Sequence, residues 1–96
     1  MVVKLSDKEK VVEAELTRRV EALGGYCVKV RALGTRGFFD RLVVLPGGRV
    51  FFAELKRPRG YKITEHQRQY HRNFTALGAV VAVVKTSADI DALLKS

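Results

Sequence analysis

The sequence predicts an α/β fold with a mixed sheet (α+β in its sheet pairing), flanked by helices in the order α-β-β-β-α-β-α. Three observations predict it. Two apolar runs, 41–45 and 49–56, flank Pro46-Gly47-Gly48 and read as a β-hairpin. Two segments at helical spacing each open on a capping pattern. After the second of them, the apolar run 79–85 reads as a further strand joined by a helical crossover.

The elements follow in chain order. Ser6-Asp7-Lys8-Glu9 matches a capping box, and Val12, Leu16, Val20 and Leu23 recur on one helical stripe that Gly24-Gly25 ends. Tyr26, Val28 and Val30 alternate with Cys27, Lys29 and Arg31, the pattern of a half-buried strand. Residues 32–39 form a basic glycine-containing loop before the hairpin, and Arg57-Pro58-Arg59-Gly60 forms a second one after it. Thr64-Glu65-His66-Gln67 opens the second helix, with Ile63, Gln67, Tyr70, Phe74 and Leu77 along one side and Gly78 at its end. The continuously apolar run 79–85 predicts a central strand. Residues 87–94 predict a last helix that packs Ile90, Leu93 and Leu94.

The 96 residues are one domain's worth of chain, 1–96, and a hydrophobic fraction of 47% excludes a disordered segment. No apolar run reaches the roughly 20 residues of a membrane span, and the first ten residues lack the apolar centre of a secretion signal. The expected location is therefore the cytoplasm, with no membrane partner. Cys27, the single cysteine, can form neither an internal disulfide nor a zinc site, and its neighbours Tyr26 and Val28 suit a buried thiol. The net charge is +8, and +7 of it lies between Lys29 and Lys62, where nine Lys or Arg accompany two acids, Asp40 and Glu54. Such a concentrated field attracts polyanions, nucleic acid above all.

Those two acids are placed together by the hairpin. With the turn centred on Gly47, Asp40 stands opposite Glu54, and Glu54 shares its strand face with Lys56. Two carboxylates at one point repel unless something positive lies between them. Mg²⁺ takes one or two carboxylates alongside phosphate oxygens and water, so the pair suits phosphodiester hydrolysis with Lys56 as an electrostatic stabiliser. Taken separately, Glu54–Lys56 is an ordinary strand-face ion pair and Asp40 an ordinary turn residue; their facing register inside a basic stretch favours the joint reading.

Asp40, thirteen residues, then Glu54-Leu55-Lys56 resembles the core of the PD-(D/E)XK nucleases of the restriction-endonuclease-like superfamily. The early helix with Glu13, the 34–40 loop, the Pro46-Gly47-Gly48 hairpin and Thr64-Glu65-His66-Gln67 follow in the order of the VRR-NUC (virus-type replication-repair nuclease) domain, stand-alone phage and bacterial type. The resemblance runs from about Ser6 to Leu94. It implies an endodeoxyribonuclease that uses Mg²⁺, with Mn²⁺ as substitute, and no organic cofactor. Asp40, Glu54 and the Leu55 carbonyl would be metal ligands, Lys56 the catalytic lysine, Glu13 a supporting acid and Gln67 a polar residue of the site. It further implies a homodimer acting on branched DNA such as a four-way junction, a Holliday-junction resolving activity. Phe39 departs from the pattern, which has proline before the aspartate; a proline there stiffens the approach to the strand.

Periodicity alone places Glu9, Glu13 and Glu15 equally well for the supporting role, and the family pattern selects Glu13. Gln67 is also the third position of its capping box. Arg36, Arg57, Arg59 and Lys62 lie in the two basic loops and are the expected DNA contacts, arginine's fork being suited to phosphate oxygens. His66 and His71 read as surface or phosphate-contact residues, and Tyr61 as a packing residue. The rival expectation is a nucleic-acid-binding module on the same fold without catalysis.

Overall fold

The computed structural model describes residues 5–31, 38–56 and 63–95, with side chains from Glu9 onward in the first helix. The element order matches the predicted one: α1 (Leu5–Ala22), β1 (Tyr26–Lys29), β2 (Arg41–Leu45), β3 (Arg49–Leu55), α2 (Glu65–Ala76), β4 (Val81–Val84) and α3 (Ser87–Lys95). The described strands form one mixed sheet in the order β1-β2-β3-β4, antiparallel throughout except for the parallel pair β3–β4. No described helix is long and apolar enough to cross a membrane.

Alternation along β2 and β3 divides the sheet into two faces. Val43, Leu45, Phe51, Ala53 and Leu55 join Val84, Val12, Leu16 and Val20 of α1 and Ile90 of α3 in the buried core. Leu16, Val20, Val43 and Ile90 are completely inaccessible to solvent. Arg19 ties α1 to α3 through Asp91 at 2.6 Å, and Ser87 donates to Glu15 at 2.7 Å. On the opposite face α2 lies over β3 through a cluster of rings: Phe74 stacks edge-on against Phe38, Phe39 and Phe52, and Tyr70 joins at the side. No residue of α2 is fully buried, so these offset ring contacts anchor the helix.

The hairpin turns at Gly47 and Gly48, which adopt φ of 85° and 78°, backbone that side-chain-bearing residues rarely take. Its register pairs Leu45 with Arg49 and Arg41 with Ala53, the alignment expected for a turn centred on Gly47.

Several expectations are corrected. β4 lies at the edge of the described strands, paired with β3 alone. Its continuous hydrophobicity reflects cover on both faces, Val84 in the core beneath α3 and Val83 on the side of α2, and not neighbours on both edges. Strand β1 buries Cys27 as expected but leaves Tyr26 and Val28 exposed, because α2 covers only the β3–β4 half of their face. Leu23 and Leu77, placed on buried stripes by periodicity, are 53% and 85% exposed: each follows the last turn of its helix, beyond the packed surface. Helix α1 starts at Leu5, ahead of the Ser6 proposed as its cap. The loop residues 32–37 and 57–62 lie outside the described ones.

Candidate active site

Glu54 is the organising residue. It sits on β3, which is paired with β2 and β4, and is only 6% exposed, the one buried charged side chain among the described residues. Its Oε1 accepts from Gln67 Nε2 at 2.7 Å and lies 3.1 Å from Lys56 Nζ, two positions along the same face. Its Oε2 is buried with no hydrogen-bond partner among the described residues. A buried carboxylate oxygen without a donor is costly, so the arrangement is suited to a positive ligand. Burial first, and the charge of Asp40 second, push the Glu54 carboxyl up to about 7, against the pull of Lys56.

Asp40 reaches the same neighbourhood by a local break in the ladder. Its N–H bonds to the Ala53 carbonyl at 3.1 Å, while Arg41 is the register partner of Ala53. Two residues against one is the count of a β-bulge, which re-aims the bulged side chain. Asp40 is thus not directly opposite Glu54, as simple register arithmetic has it, and its Oδ2 accepts instead from the Leu55 N–H at 2.8 Å. On the other edge its carbonyl still accepts from Val30 N, continuing the β1–β2 register. Burial raises the Asp40 carboxyl, while the Leu55 N–H and the Lys56 charge oppose the rise. The Asp40 charge acts on Glu54 and the Lys56 charge acts on both acids, so the three groups share one electrostatic environment.

Gln67 occupies both places that sequence reasoning treated as alternatives. Its backbone N–H donates to Thr64 Oγ1, and its Oε1 accepts from Thr64 N, completing the capping box. The remaining amide nitrogen donates to Glu54. The cap therefore fixes the rotamer that meets the carboxylate.

The three α1 acids considered for the supporting role separate in the structure. Glu13 pairs with Arg41 Nε at 3.0 Å, and that guanidinium also donates to the Cys27 carbonyl; Glu13 reaches Asp40 only through its charge. Glu15 is held by Ser87 and Arg19. Glu9 contributes a charge felt at Glu54. Cys27 is buried, receives the Thr17 hydroxyl at 3.6 Å and has its thiol pushed up by burial, as suits a structural residue.

Among the described residues no three His, Cys, Asp or Glu side chains group as a metal site. The donor set on hand is two carboxylates, one with an unpartnered oxygen, together with the peptide between Glu54 and Lys56. That set fits Mg²⁺, which keeps several waters and takes one or two carboxylates, and does not fit a zinc cage. Arg36, Arg57, Arg59, Lys62 and Tyr61 lie outside the described residues, while His66 is exposed on α2.

Sequence reasoning missed a cavity of about 220 Å³ beside Glu54, walled by Lys56 and Gln67, by Phe39, Ile63 and Val83, and by Arg68, His71 and Arg72 of α2. The legible signal was the spacing of those α2 residues, three and four apart, starting at the residue after Gln67. Phe39 is 3% exposed and locked among Phe38, Phe52 and Phe74, so ring packing stiffens the approach to Asp40 where the family pattern uses proline.

No family model matches the chain. A curated phage protein, "Putative nuclease p44" of Acyrthosiphon pisum secondary endosymbiont phage 1, is 39% identical over 87 residues, covering 91% of each chain. A solved structure described as a VRR_NUC domain superposes with a TM-score of 0.85 at 38% identity, covering 92% of this chain and 95% of that one. Similarity of this extent in both sequence and fold places the chain in the VRR-NUC family, phage and bacterial type.

Proposed function

We propose that the protein is a metal-dependent endodeoxyribonuclease whose centre is Asp40, Glu54 and Lys56. The observation that carries this reading is the buried Oε2 of Glu54, unpartnered among the described residues, beside a second carboxylate in a strongly basic chain. Asp40, Glu54 and the Leu55 carbonyl would hold Mg²⁺ or Mn²⁺. When bound, the ion supplies a lowered pKa for an attacking water and neutralises charge on the scissile phosphate. Lys56, 3.1 Å from Glu54, favours the ionised carboxylate against the effect of burial and presents its ammonium to the developing negative charge. Gln67 holds the Glu54 oxygen in place through its 2.7 Å bond, and the Leu55 N–H does the same for Asp40. Glu13, paired to Arg41, tunes the charge at Asp40 from a distance.

The finer reading is a structure-selective enzyme acting on branched DNA such as four-way junctions, as a homodimer with two centres for two strands. The homodimer is supported by an apolar half-face of the sheet that the described residues leave uncovered, where Tyr26, Val28 and Val50 are 71%, 49% and 48% exposed. Arg36, Arg57, Arg59 and Lys62 would contact phosphates.

The test is cleavage of an end-labelled four-way junction and its linear arms by wild type, Asp40→Asn and Glu54→Gln. Wild type should nick the junction with Mg²⁺ or Mn²⁺ and not in EDTA, and both variants should bind without cutting. Cutting at the wild-type rate by either variant contradicts the assignment. Full binding with no cleavage under any divalent ion favours the non-catalytic module.

A further inference from the structure

The proposed chemistry uses Glu54, Lys56 and Gln67 but leaves the rest of the adjoining cavity unexplained. Its apolar lining, the floor, is Phe39 and Val83 with the more exposed Ile63, and α2 adds Arg68, His71 and Arg72 to the lining. A sugar-phosphate backbone has no need of an apolar floor. An aromatic ring system flanked by phosphates needs both features. At about 220 Å³ the cavity is smaller than the roughly 300–1,000 Å³ of pockets that enclose drug-sized ligands, so it suits one ring system and excludes a base pair.

The floor is also preformed. Phe39 is fixed by ring contacts at 5.1 Å to both Phe52 and Phe74, and Val83 is the register neighbour of Glu54 on the parallel strand. No ordering cost falls on these groups when a ring enters. Arg68 and Arg72 stand one turn apart on α2, and the Arg72–Glu65 pair at 3.4 Å is exposed on both sides, the kind of surface contact a phosphate can displace.

We propose that this cavity receives an unstacked nucleobase from the nucleotide next to the phosphate held at Asp40 and Glu54, with Arg68 and Arg72 on the adjoining phosphates. The proposal rests on the nuclease reading and deepens it. A paired base must leave the stack to enter, at a cost that is least for an unpaired or mismatched base. DNA whose bases are already loosened, at a branch or an end, is thereby preferred without any base-reading contact.

The experiment places 2-aminopurine, which brightens on leaving the stack, at successive positions around the branch of a four-way junction bound by the full chain in Ca²⁺. One position should brighten several-fold with wild type, and Val83→Trp, which fills the floor, should return it to the level of free DNA. Should that variant fail to fold, Arg68→Ala with Arg72→Ala, both on the surface, serves instead: the salt dependence of binding should shallow by about two phosphate contacts and the brightening should fall. In wild type, an abasic residue at the bright position should slow metal-dependent cutting at least tenfold. Bound and cut DNA with no bright position, or brightening that survives Val83→Trp, overturns the pocket while leaving the nuclease reading intact. Absence of metal-dependent cutting and of DNA binding sinks both.

Discussion

Gln67 joins the cap of α2 to the carboxylate of Glu54: one amide oxygen accepts from Thr64 N at 3.0 Å while the amide nitrogen donates to Glu54 at 2.7 Å. Stability and site geometry therefore pass through one side chain, and the two can be separated. Thr64→Ala removes the cap and should cost about 1 kcal/mol, roughly 4–8 °C in Tm, with cleavage retained below the transition. Gln67→Ala should cost similar stability and also lower kcat/KM about 10–100-fold, the usual loss when a residue supporting a metal ligand is removed. Thermal melts and single-turnover cleavage of both variants check this.

The carboxyl of Glu54 gives the metal-free protein an unusual pH dependence. Its folded pKa is raised to about 7 from 4.5, so the fold binds this proton more tightly than the unfolded chain does. Stability from this group is complete below pH 4.5 and is lost as pH rises through 7; the raised carboxyl of Asp40 acts in the same direction. The loss between pH 5 and pH 8 should be about 3 kcal/mol or less. Urea denaturation in EDTA across that range should show it, Glu54→Gln should flatten it, and Mn²⁺ at pH 8 should restore it.

Asp40 accepts from the Leu55 N–H, so its two substitutions should differ. Asp40→Asn keeps an acceptor for that N–H and should fold with near wild-type stability while losing cleavage. Asp40→Ala leaves the donor without its partner and should lose cleavage together with about 1–3 kcal/mol. Equal stability of the two, measured by chemical denaturation, would show that this bond contributes nothing.

Phe74 is the hub of the ring cluster that holds α2 over β3. Phe74→Ala should cost about 3 kcal/mol and loosen the helix that carries Gln67. Hydrogen exchange of α2 amides should quicken more than that of β2 and β3.

Most of this architecture was legible because the strongest signals are local. Pro46-Gly47-Gly48 fixed the hairpin register, and Thr64 with Gln67 fixed the start of α2. What local pattern cannot carry is the placement of covered faces. The run 79–85 is apolar whether its neighbours are strands or helices, which is why the edge position of β4 was missed. Tyr26 and Val28 face outward because α2 stops short of their half of the sheet, a tertiary fact. At the site, Glu54 and Lys56 follow from alternation alone, whereas Asp40 depends on a bulge that register arithmetic has no means to see. Glu13 meets Arg41, twenty-eight residues away, a pairing no periodicity encodes. The cavity beside Glu54 needs residues from the loop before β2, from α2 and from β4, and becomes visible only once they are assembled.

The central claim is that Asp40 and Glu54 together hold a divalent ion, and calorimetric titration of Mn²⁺ into DNA-free protein at pH 8 addresses it without relying on catalysis. One Mn²⁺ should bind per centre in wild type, with affinity at least tenfold weaker in Asp40→Asn and in Glu54→Gln and no measurable site in the double variant. Undiminished binding in the double variant would place the ion elsewhere and contradict the account.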